Sequence, residues 1–493
     1  MKTAVRGEAA ARLLADVLPD VQGIVMRGYR LGEPTFARYF FLVVREREAA
    51  GLLVRSLADG SVPDFQIRSA ADWGPSPPPT CLNIGFTFPG LKNFGIPAAT
   101  LSSPQWFGSP SHTPFMNGSA ASAAAIGDVQ DSDPATWLVD DRNFDVVLGL
   151  WAKDLATLES ASVALRKLLV GGFGAPQEEL TSQDLLHDMI YFGYRDGIAQ
   201  PILSIDPYYK RPDGEQKPVD DGAFVLGTAT STYFKGVNVP PEIGLHGSFA
   251  AFRMLEQKVE AFEAFVEGQR ETIASIYGTA DAVAGDAMKA LMVGRWPANG
   301  TPVELYPVKD AQTLPPDLDS NHINDFLYAN NAGVTCPFSS HIRRNNPRNT
   351  PVEDLPSRHR IMRRAMPYQI PYDPNDRNTG ERGLMGLFIG ASLRDSFEFL
   401  MDTWVNGGPS SGLPFPASGD AADPVIGHNL TNGPWTFTVV TPPPPPPRMN
   451  RHSFDLGASP VPGFTNFVRT RASAYVFLPG MAAIAAIADY AAG

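Results

Sequence analysis

The amino-acid sequence predicts an α+β protein that begins with a ferredoxin-like unit. Strand and helix patterns follow the order strand–helix–strand–strand–helix–strand up to about residue 210, which is the order of that unit. The chain has 493 residues, more than one hydrophobic core usually organises, so two or three domains are expected. With 43% hydrophobic and 19% charged residues, the composition is that of a folded globular protein.

In the first half, three strands and two helices follow from the spacing of apolar residues. Alternating apolar positions with β-branched and aromatic residues predict strands at Tyr39–Val44, Thr80–Phe88 and Phe144–Leu150. Apolar residues at helical spacing predict helices at Glu46–Gly60 and Ala152–Leu169. These elements supply most of one ferredoxin-like unit.

The second half has a similar but weaker pattern. We predict a long helix at Phe249–Tyr277, a strand at Gly383–Ile389, a helix at Leu393–Val405, and a last strand and helix within Ala474–Ala491. The proline run Thr441–Pro447 predicts a stiff polyproline II spacer on the surface. The pattern indicates a weak duplication of the first unit.

We therefore divide the chain into two domains, residues 1–215 and residues 216–493. The net charge of −12 disfavours nucleic acid and acidic membranes as partners. Two cysteines, Cys81 and Cys336, are too few for a disulfide framework or a CxxC-type metal site. No apolar run is long enough for a membrane span, and the N-terminus does not have the pattern of a secretory signal. We expect a cytoplasmic protein.

The stretch Cys336–Arg348 (CPFSSHIRRNNPR) places His341 directly before a cluster of arginines. A haem iron needs only one protein ligand, whereas zinc would need three or four, so one histidine is enough for haem. Arg343 and Arg348 are suited to bind the haem propionates through charge-assisted hydrogen bonds. Taken alone, the stretch is better explained as a solvated basic patch.

Two further stretches contain an acid and an arginine in distinctive surroundings. Asp196 lies in GYRDGIAQP (Gly193–Pro201), where the glycines let the backbone turn tightly and approach a flat ligand. Arg363 lies in RHRIMRRAMPY (Arg358–Tyr368). The alternatives are a common Asp-Gly turn and an ordinary surface charge.

Together these three stretches resemble the dye-decolourising peroxidases, a family of haem peroxidases, and in particular its longer-chain members. The family signature GxxDG is matched by Gly193, Asp196 and Gly197, the haem-ligand stretch by CPFSSHIRRNNPR, and the arginine motif by RIMRRAMPY. Further matching segments include NIGFTFPGLKNFGIP (Asn83–Pro97) and GRWPANGTP (Gly294–Pro302), so the resemblance covers nearly the whole chain.

The resemblance implies two ferredoxin-like units per chain in a dimeric α/β-barrel-type haem fold, with antiparallel sheets and helices outside. It implies one haem b per chain, with iron bound by His341. A carboxylate behind that ligand would be Asp423, with Asp395 and Glu398 as alternatives. Asp196 would move a proton between the peroxide oxygens, and Arg363 would stabilise the departing oxygen.

Neighbouring residues are expected to complete the haem pocket. Ile198 and Gln200 would line the haem edge, and Phe388 would form part of the distal wall, although an ordinary core phenylalanine is an equal alternative. The implied function is a peroxidase that reduces hydrogen peroxide and oxidises dyes or phenols. Its pH optimum would be acidic, because an aspartate base stays ionised at a pH where histidine is protonated.

Other functions remain open from the sequence. The same fold could serve as a non-catalytic haem carrier or sensor, since fold does not fix function. A homo-oligomer or a shell-protein cargo is a further expectation for its assembly. The sequence singles out no surface tryptophan or tyrosine as a radical site and does not identify the natural electron donor.

Overall fold

The structure is a computed structural model of the 493-residue chain. It describes every residue outside the following positions and ranges: 1–16, 30, 32–34, 63, 72–76, 105, 184–187, 207–215, 217, 229–241, 320–321, 329–334, 349–357, 374, 408–422, 429–434, 441–448 and 455–465.

The first half of the chain contains four strands that form one side of a sheet. Its strands are β1 (Phe36–Leu42), β2 (Thr80–Phe86), β3 (Val146–Ala152) and β4 (Glu178–Gln183), ordered β4-β1-β3-β2 and antiparallel. Its helices are α1 (Gly23–Met26), α2 (Arg47–Asp59), α3 (Phe88–Asn93), α4 (Ala98–Leu101), α5 (Thr113–Asn117), α6 (Ser119–Ser122) and α7 (Leu155–Leu169).

The second half repeats the same strand order. Its strands are β5 (Ser248–Gln257), β6 (Met362–Ile370), β7 (Glu381–Gly390), the hairpin β8 (Trp435–Val440) and β9 (Met449–Phe454), and β10 (Val468–Leu478). Its helices are α8 (Val259–Gly268), α9 (Arg270–Tyr277), α10 (Asp281–Val293), α11 (His341–Asn345) and α12 (Met481–Ala492), with π-helical turns at Arg394–Glu398 and Leu400–Val405. The order β10-β5-β7-β6 is again fourth, first, third, second within its unit.

One eight-stranded antiparallel sheet joins the two halves. Strands β2 and β10 pair at Phe86 and Phe477, and the edge strands β4 and β6 approach each other to within 8 Å between Cα atoms. The sheet therefore curls towards a barrel, with the helices α2, α7 and α12 packed outside it. This confirms the predicted α+β fold built from two ferredoxin-like units.

Strand β1 shows how the core is divided between the two faces of the sheet. Phe40 packs against the outer helices, whereas Tyr39 and Phe41 pack in the interior between the two halves. Successive side chains of a strand point to opposite faces, and here both faces are buried.

One predicted element is wrong. The long helix expected at Phe249–Tyr277 begins as strand β5, and only α8 and α9 are helical. Strand β5 pairs on both sides, with β10 and β7, and its first seven residues are buried. A central strand with two buried faces gives no clear alternation, so periodicity alone did not distinguish it from a helix.

The proline run, the absence of a membrane span and the domain division were also predicted from the sequence. The proline run Thr441–Pro447 lies outside the described residues. Within the described part of the chain, no helix has the length and apolar character that crossing a membrane requires. The division into residues 1–215 and 216–493 stays a prediction.

Candidate active site

A cavity of about 270 Å³, which we call the central cavity, lies between the GxxDG segment, α11 and the strands of the second half. It contains most of the residues singled out from the sequence. The charged and polar residues that line it include His341, Asn345, Asp196, Arg195, Arg295, Arg348, Arg360 and Arg363, and its apolar wall includes Ile198, Phe388, Phe397, Leu400 and Val425.

A short hairpin presents Asp196 to this cavity. Met189 and Arg195 form an antiparallel bridge, and the backbone N–H of Asp196 donates to the carbonyl of Asp188 at 2.8 Å. Gly193 and Gly197 have φ angles of +82° and +77°, a left-handed conformation that glycine adopts without strain. The turn chemistry expected from the sequence is therefore present, and the carboxylate of Asp196 is fixed at its Oδ1 by the N–H of Gly197 at 2.7 Å.

Gln200 holds this hairpin against β6 at Arg363. The Gln200 amide nitrogen donates to the Arg363 carbonyl at 3.0 Å, and its oxygen accepts from the Arg363 N–H at 3.1 Å. Among the described strands, β6 pairs with β7 alone and lies at the edge of the sheet, and Gln200 bonds to its outer backbone groups as a neighbouring strand would. Gln200 thereby links the acid of the GxxDG segment to the arginine of β6.

His341 begins α11 and is held from behind by a buried carboxylate. Its Nδ1 lies 2.8 Å from Asp423 Oδ2, and the Asn345 side-chain amide donates to the same oxygen at 3.3 Å and to the His341 carbonyl at 2.8 Å. The bond to the carboxylate assigns the proton to Nδ1 and leaves Nε2 as the ring nitrogen available to a ligand.

Asp423 is fully buried and its charge is well supported. Its Oδ1 accepts the backbone N–H groups of Val425 at 2.9 Å and Ile426 at 3.1 Å. Burial raises the pKa of Asp423, but the charge and hydrogen bond of His341 and these two N–H groups outweigh it, so the pKa lies below the ordinary value. The other two candidates are engaged elsewhere: Asp395 accepts from Ser392 at 2.9 Å and Glu398 from Tyr475 at 2.8 Å.

Several arginines line one side of the cavity. Burial, followed by the charges of Arg348 and Arg363, lowers the pKa of both Arg295 and Arg360 to about 9. Arg348 donates to the carbonyls of Asn324 and Phe326 at 3.0 and 2.7 Å, while its Nε is buried without a hydrogen-bond partner in the described structure. Such a concentration of buried positive charge is stabilised by an anion.

The central cavity brings together six of the residues chosen from the sequence. His341, Asp196, Ile198, Arg348, Arg363 and Phe388 all line it. Asp423 lies directly behind His341.

Two residues predicted to contact the cofactor do not line the central cavity. Gln200 does not line the central cavity, because its amide is used on the backbone of Arg363. Arg343 points away, since its guanidinium donates to the Cys336 carbonyl and lies 4.2 Å from the ring centroid of Phe338. Both residues position the segments that carry the site instead of lining it.

The sequence reasoning missed Arg295, Arg360 and Asn345. Arg295 lies in GRWPANGTP and Arg360 in RHRIMRRAMPY, so both were within matched segments without being chosen. Asn345 follows His341 by four residues, which on a helix places the two side chains on one face, and this spacing was the available signal.

Comparisons with known proteins find similar sequences among the dye-decolourising peroxidases. The chain is 28% identical over 434 residues to a dye-decolourising peroxidase of Exidia glandulosa, covering 83% of this chain and 77% of the relative. It is 26% identical over 489 residues to dye-decolourising peroxidase msp1 of Mycetinis scorodonius, covering 95% and 86%. A search against models of known protein families gives no match.

Solved structures show the same fold. A variant of the decolourising peroxidase of Auricularia auricula-judae superposes with a TM-score of 0.71 at 24% identity, covering 96% of this chain and 99% of that one. Fold and cavity together define a two-unit α+β barrel with a central cavity that His341, Asp196 and Arg363 line. In sequence and in fold, the chain is similar to the dye-decolourising peroxidases.

The residues of the central cavity fit the haem that this family implies. Among the residues that the structure describes, no group of three or more His, Cys, Asp or Glu side chains could hold a bare metal ion. A porphyrin iron requires only one protein ligand, which the Nε2 of His341 can supply. The apolar wall suits the macrocycle, and Arg348 with Arg360 suits its propionates.

Proposed function

We propose that this protein is a haem b peroxidase that reduces hydrogen peroxide and oxidises dyes or phenols, with His341 as the iron ligand. The observation that carries the proposal is the pairing of His341 with buried Asp423 in a cavity that also contains Asp196 and Arg363. When bound, the haem supplies the redox chemistry that takes electrons to peroxide.

On the His341 side of the cavity, neighbouring residues hold the imidazole that would bind the iron. The Asp423 carboxylate accepts the Nδ1 proton, orients the ring and increases the electron donation of Nε2. Asn345 fixes the position of His341 relative to Asp423, because its amide donates to the His341 carbonyl and to the Asp423 carboxylate.

On the opposite side, the residues move a proton and stabilise charge. Asp196 accepts a proton from one peroxide oxygen and delivers it to the other, as general base and then general acid. The guanidinium of Arg363 stabilises the negative charge that develops on the departing oxygen. We also propose that activity is highest at acidic pH, because carboxylates in general stay ionised at a pH where a histidine base would be protonated.

The test uses haem-reconstituted protein with hydrogen peroxide and a phenol such as 2,6-dimethoxyphenol, the ligand named for one structural neighbour. We expect a Soret band, haem released intact on acid extraction, and peroxide-dependent oxidation between about pH 3 and 6. Asp196→Asn and Arg363→Leu should each lower kcat by roughly 10²- to 10⁴-fold while retaining the Soret band.

Matched controls are Asp317→Asn and Arg394→Leu, which change exposed residues outside the central cavity and should leave turnover unchanged. Full haem loading without turnover at any of these pH values would reject a peroxidase and favour a haem carrier or sensor. Absence of a Soret band after reconstitution would reject haem binding itself.

A further inference from the structure

A second cavity of about 340 Å³, the side cavity, lies against the central cavity. Asp196 and Arg363 line both cavities, so this acid and arginine form part of the partition between them. A molecule that contacts Asp196 and Arg363 in the central cavity is therefore close to the residues that line the side cavity.

Four methionines line the side cavity, out of 13 in the chain: Met26, Met189, Met362 and Met366, which we call the methionine wall. Met362 and Met366 are four residues apart on β6, so they share one face of the strand. Sheet positions more often hold β-branched or aromatic residues, which makes this concentration of thioethers unusual.

The methionine row continues across the sheet. Met366 is the register partner of Met385 on β7, and Met385 is the register partner of Met254 on β5. Directly opposite residues lie on the same face of a sheet, so these three side chains form a continuous row that begins at the side cavity.

Trp151 lines the same cavity and is almost completely buried. Its ring lies 5.4 Å from that of Tyr29 and 6.4 Å from that of Tyr39, measured between centroids. Oxidation of this tryptophan would add polar atoms to the centre of the barrel core, whereas oxidation of a methionine at the cavity surface is reversible. The thioethers thus stand where an oxidant would first meet the core.

We propose that the methionine wall is a second, sacrificial peroxide-reducing site. The proposal rests on the proposed function in one respect, namely that peroxide enters between Asp196 and Arg363. A thioether sulfur attacks one peroxide oxygen, the S–O bond forms as the O–O bond breaks, and the departing hydroxide takes the remaining proton. The products are one methionine sulfoxide and one water for each peroxide consumed.

The chain's charged groups favour this step at the wall. Arg363, which lines the side cavity, stabilises the departing hydroxide as a preorganised cation. Leucine would fill the same space but could not be oxidised, whereas a sulfoxide is returned to the thioether by methionine sulfoxide reductases. The wall would therefore protect Trp151 whenever peroxide exceeds the electron donor.

The decisive experiment exposes the haem-free folded chain to hydrogen peroxide and follows sulfoxide at each methionine by peptide mass spectrometry. Met288 and Met292 on α10 are the buried controls, with 0% exposure, against 4% for Met362 and 5% for Met366. We expect Met362 and Met366 to oxidise at least about tenfold faster, a factor equivalent to about 1.4 kcal/mol in barrier height. Unfolding in urea should remove the difference.

Half-buried Met481, on α12 and outside the side cavity, reports oxidation that exposure alone allows. Replacing Arg363 by Leu should slow oxidation of Met362 and Met366 and leave Met481 unaffected. Rates for Met362 and Met366 equal to those of Met288 and Met292 would overturn the proposal. This readout needs no haem, so it is independent of whether the loaded protein turns over.

A variant tests protection. Replacing all four wall residues by Leu conserves volume, and should increase oxidation of Trp151 and shorten the half-life of the haem-loaded enzyme in excess peroxide. The paired control is Met288→Leu with Met292→Leu, which should behave as the unchanged chain. Equal half-lives and equal Trp151 oxidation in all three proteins would reject a protective role.

Discussion

The two walls of the central cavity differ in how their functional side chains are held. On the His341 wall, the imidazole, its carboxylate and Asn345 bond to one another and to backbone groups. On the opposite wall, the backbone around Arg363 is fixed by Gln200, but its guanidinium has no hydrogen-bond partner in the described structure. One wall is built to hold a ligand still, and the other keeps charged groups available for a reacting molecule.

The largest effect should come from removing the centre of the rigid wall. His341→Ala should weaken haem binding by more than the roughly 10- to 100-fold that loss of an outer partner costs a metal site. The measurement is the haem-to-protein ratio after gel filtration. The matched control is His322→Ala, because His322 also pairs with a carboxylate, Asp319 at 2.7 Å, but on the surface. Equal haem retention in both variants would contradict the assignment of His341.

A second comparison concerns a buried histidine that is not hydrogen-bonded to a carboxylate among the described residues. His112 packs 4.7 Å from the Phe249 ring, and neither of its ring nitrogens has a hydrogen-bond partner within the described residues. Burial lowers the pKa of His112 to about 4. The unfolded chain therefore binds a proton between pH 6.5 and 4 that the folded chain does not, and stability is lost as the pH falls through that window.

The expected loss is about 3 kcal/mol at pH 4 relative to pH 7. His112→Leu should remove this part of the pH dependence, measured as the difference in the free energy of unfolding between the two pH values. His322→Leu, at an exposed site, is the control and should keep the original dependence. An unchanged pH dependence in His112→Leu would show that the imidazole does not titrate as its burial requires.

The sequence predicted those features that depend on residues close together in the chain. The order of strands and helices along the first unit, the GxxDG turn and the position of His341 could be predicted because each depends on short-range patterns or on motifs that the family resemblance makes recognisable. The helix wrongly predicted over β5 depends on two neighbouring strands that are distant in the chain. The propensity of single residues cannot predict which distant strands will pair.

The contacts of individual side chains were harder to predict. Gln200 and Arg343 were expected at the haem, but one satisfies the edge of β6 and the other the Cys336 carbonyl. Residue type and proximity in sequence cannot reveal which backbone group a long polar side chain reaches. Arg295 and Arg360 also line the cavity, but nothing in the residues next to them in the sequence marks them as different from surface arginines.

Neutralising the carboxylate behind His341 should have an intermediate effect. Asp423→Asn keeps the shape but removes the charge, so haem affinity should fall by roughly 10- to 100-fold and the iron reduction potential should rise. Haem transfer to an acceptor protein and a redox titration measure the two changes. Asp395→Asn and Glu398→Gln remove the alternative carboxylates and should leave both quantities unchanged. A shift in either control instead of Asp423→Asn would reassign the partner.

The smallest effect should come from the link that Gln200 makes between the GxxDG hairpin and β6. Gln200→Leu removes two hydrogen bonds to the Arg363 backbone, worth about 1 kcal/mol each, and leaves the edge of β6 unpaired. We expect faster hydrogen exchange at the Arg363 amide and a decrease in kcat of roughly tenfold, well below that of Asp196→Asn.

Gln200→Glu discriminates positioning from general destabilisation. The glutamate can still accept the Arg363 N–H but cannot donate to its carbonyl, so it should recover part of the exchange protection and part of kcat. Gln312→Leu, which removes an exposed amide that also donates to backbone carbonyls, should change neither quantity. If Gln200→Leu alters unfolding but not the Arg363 amide or kcat, the link is structural only, and the arginine is positioned by its own strand pairing with β7.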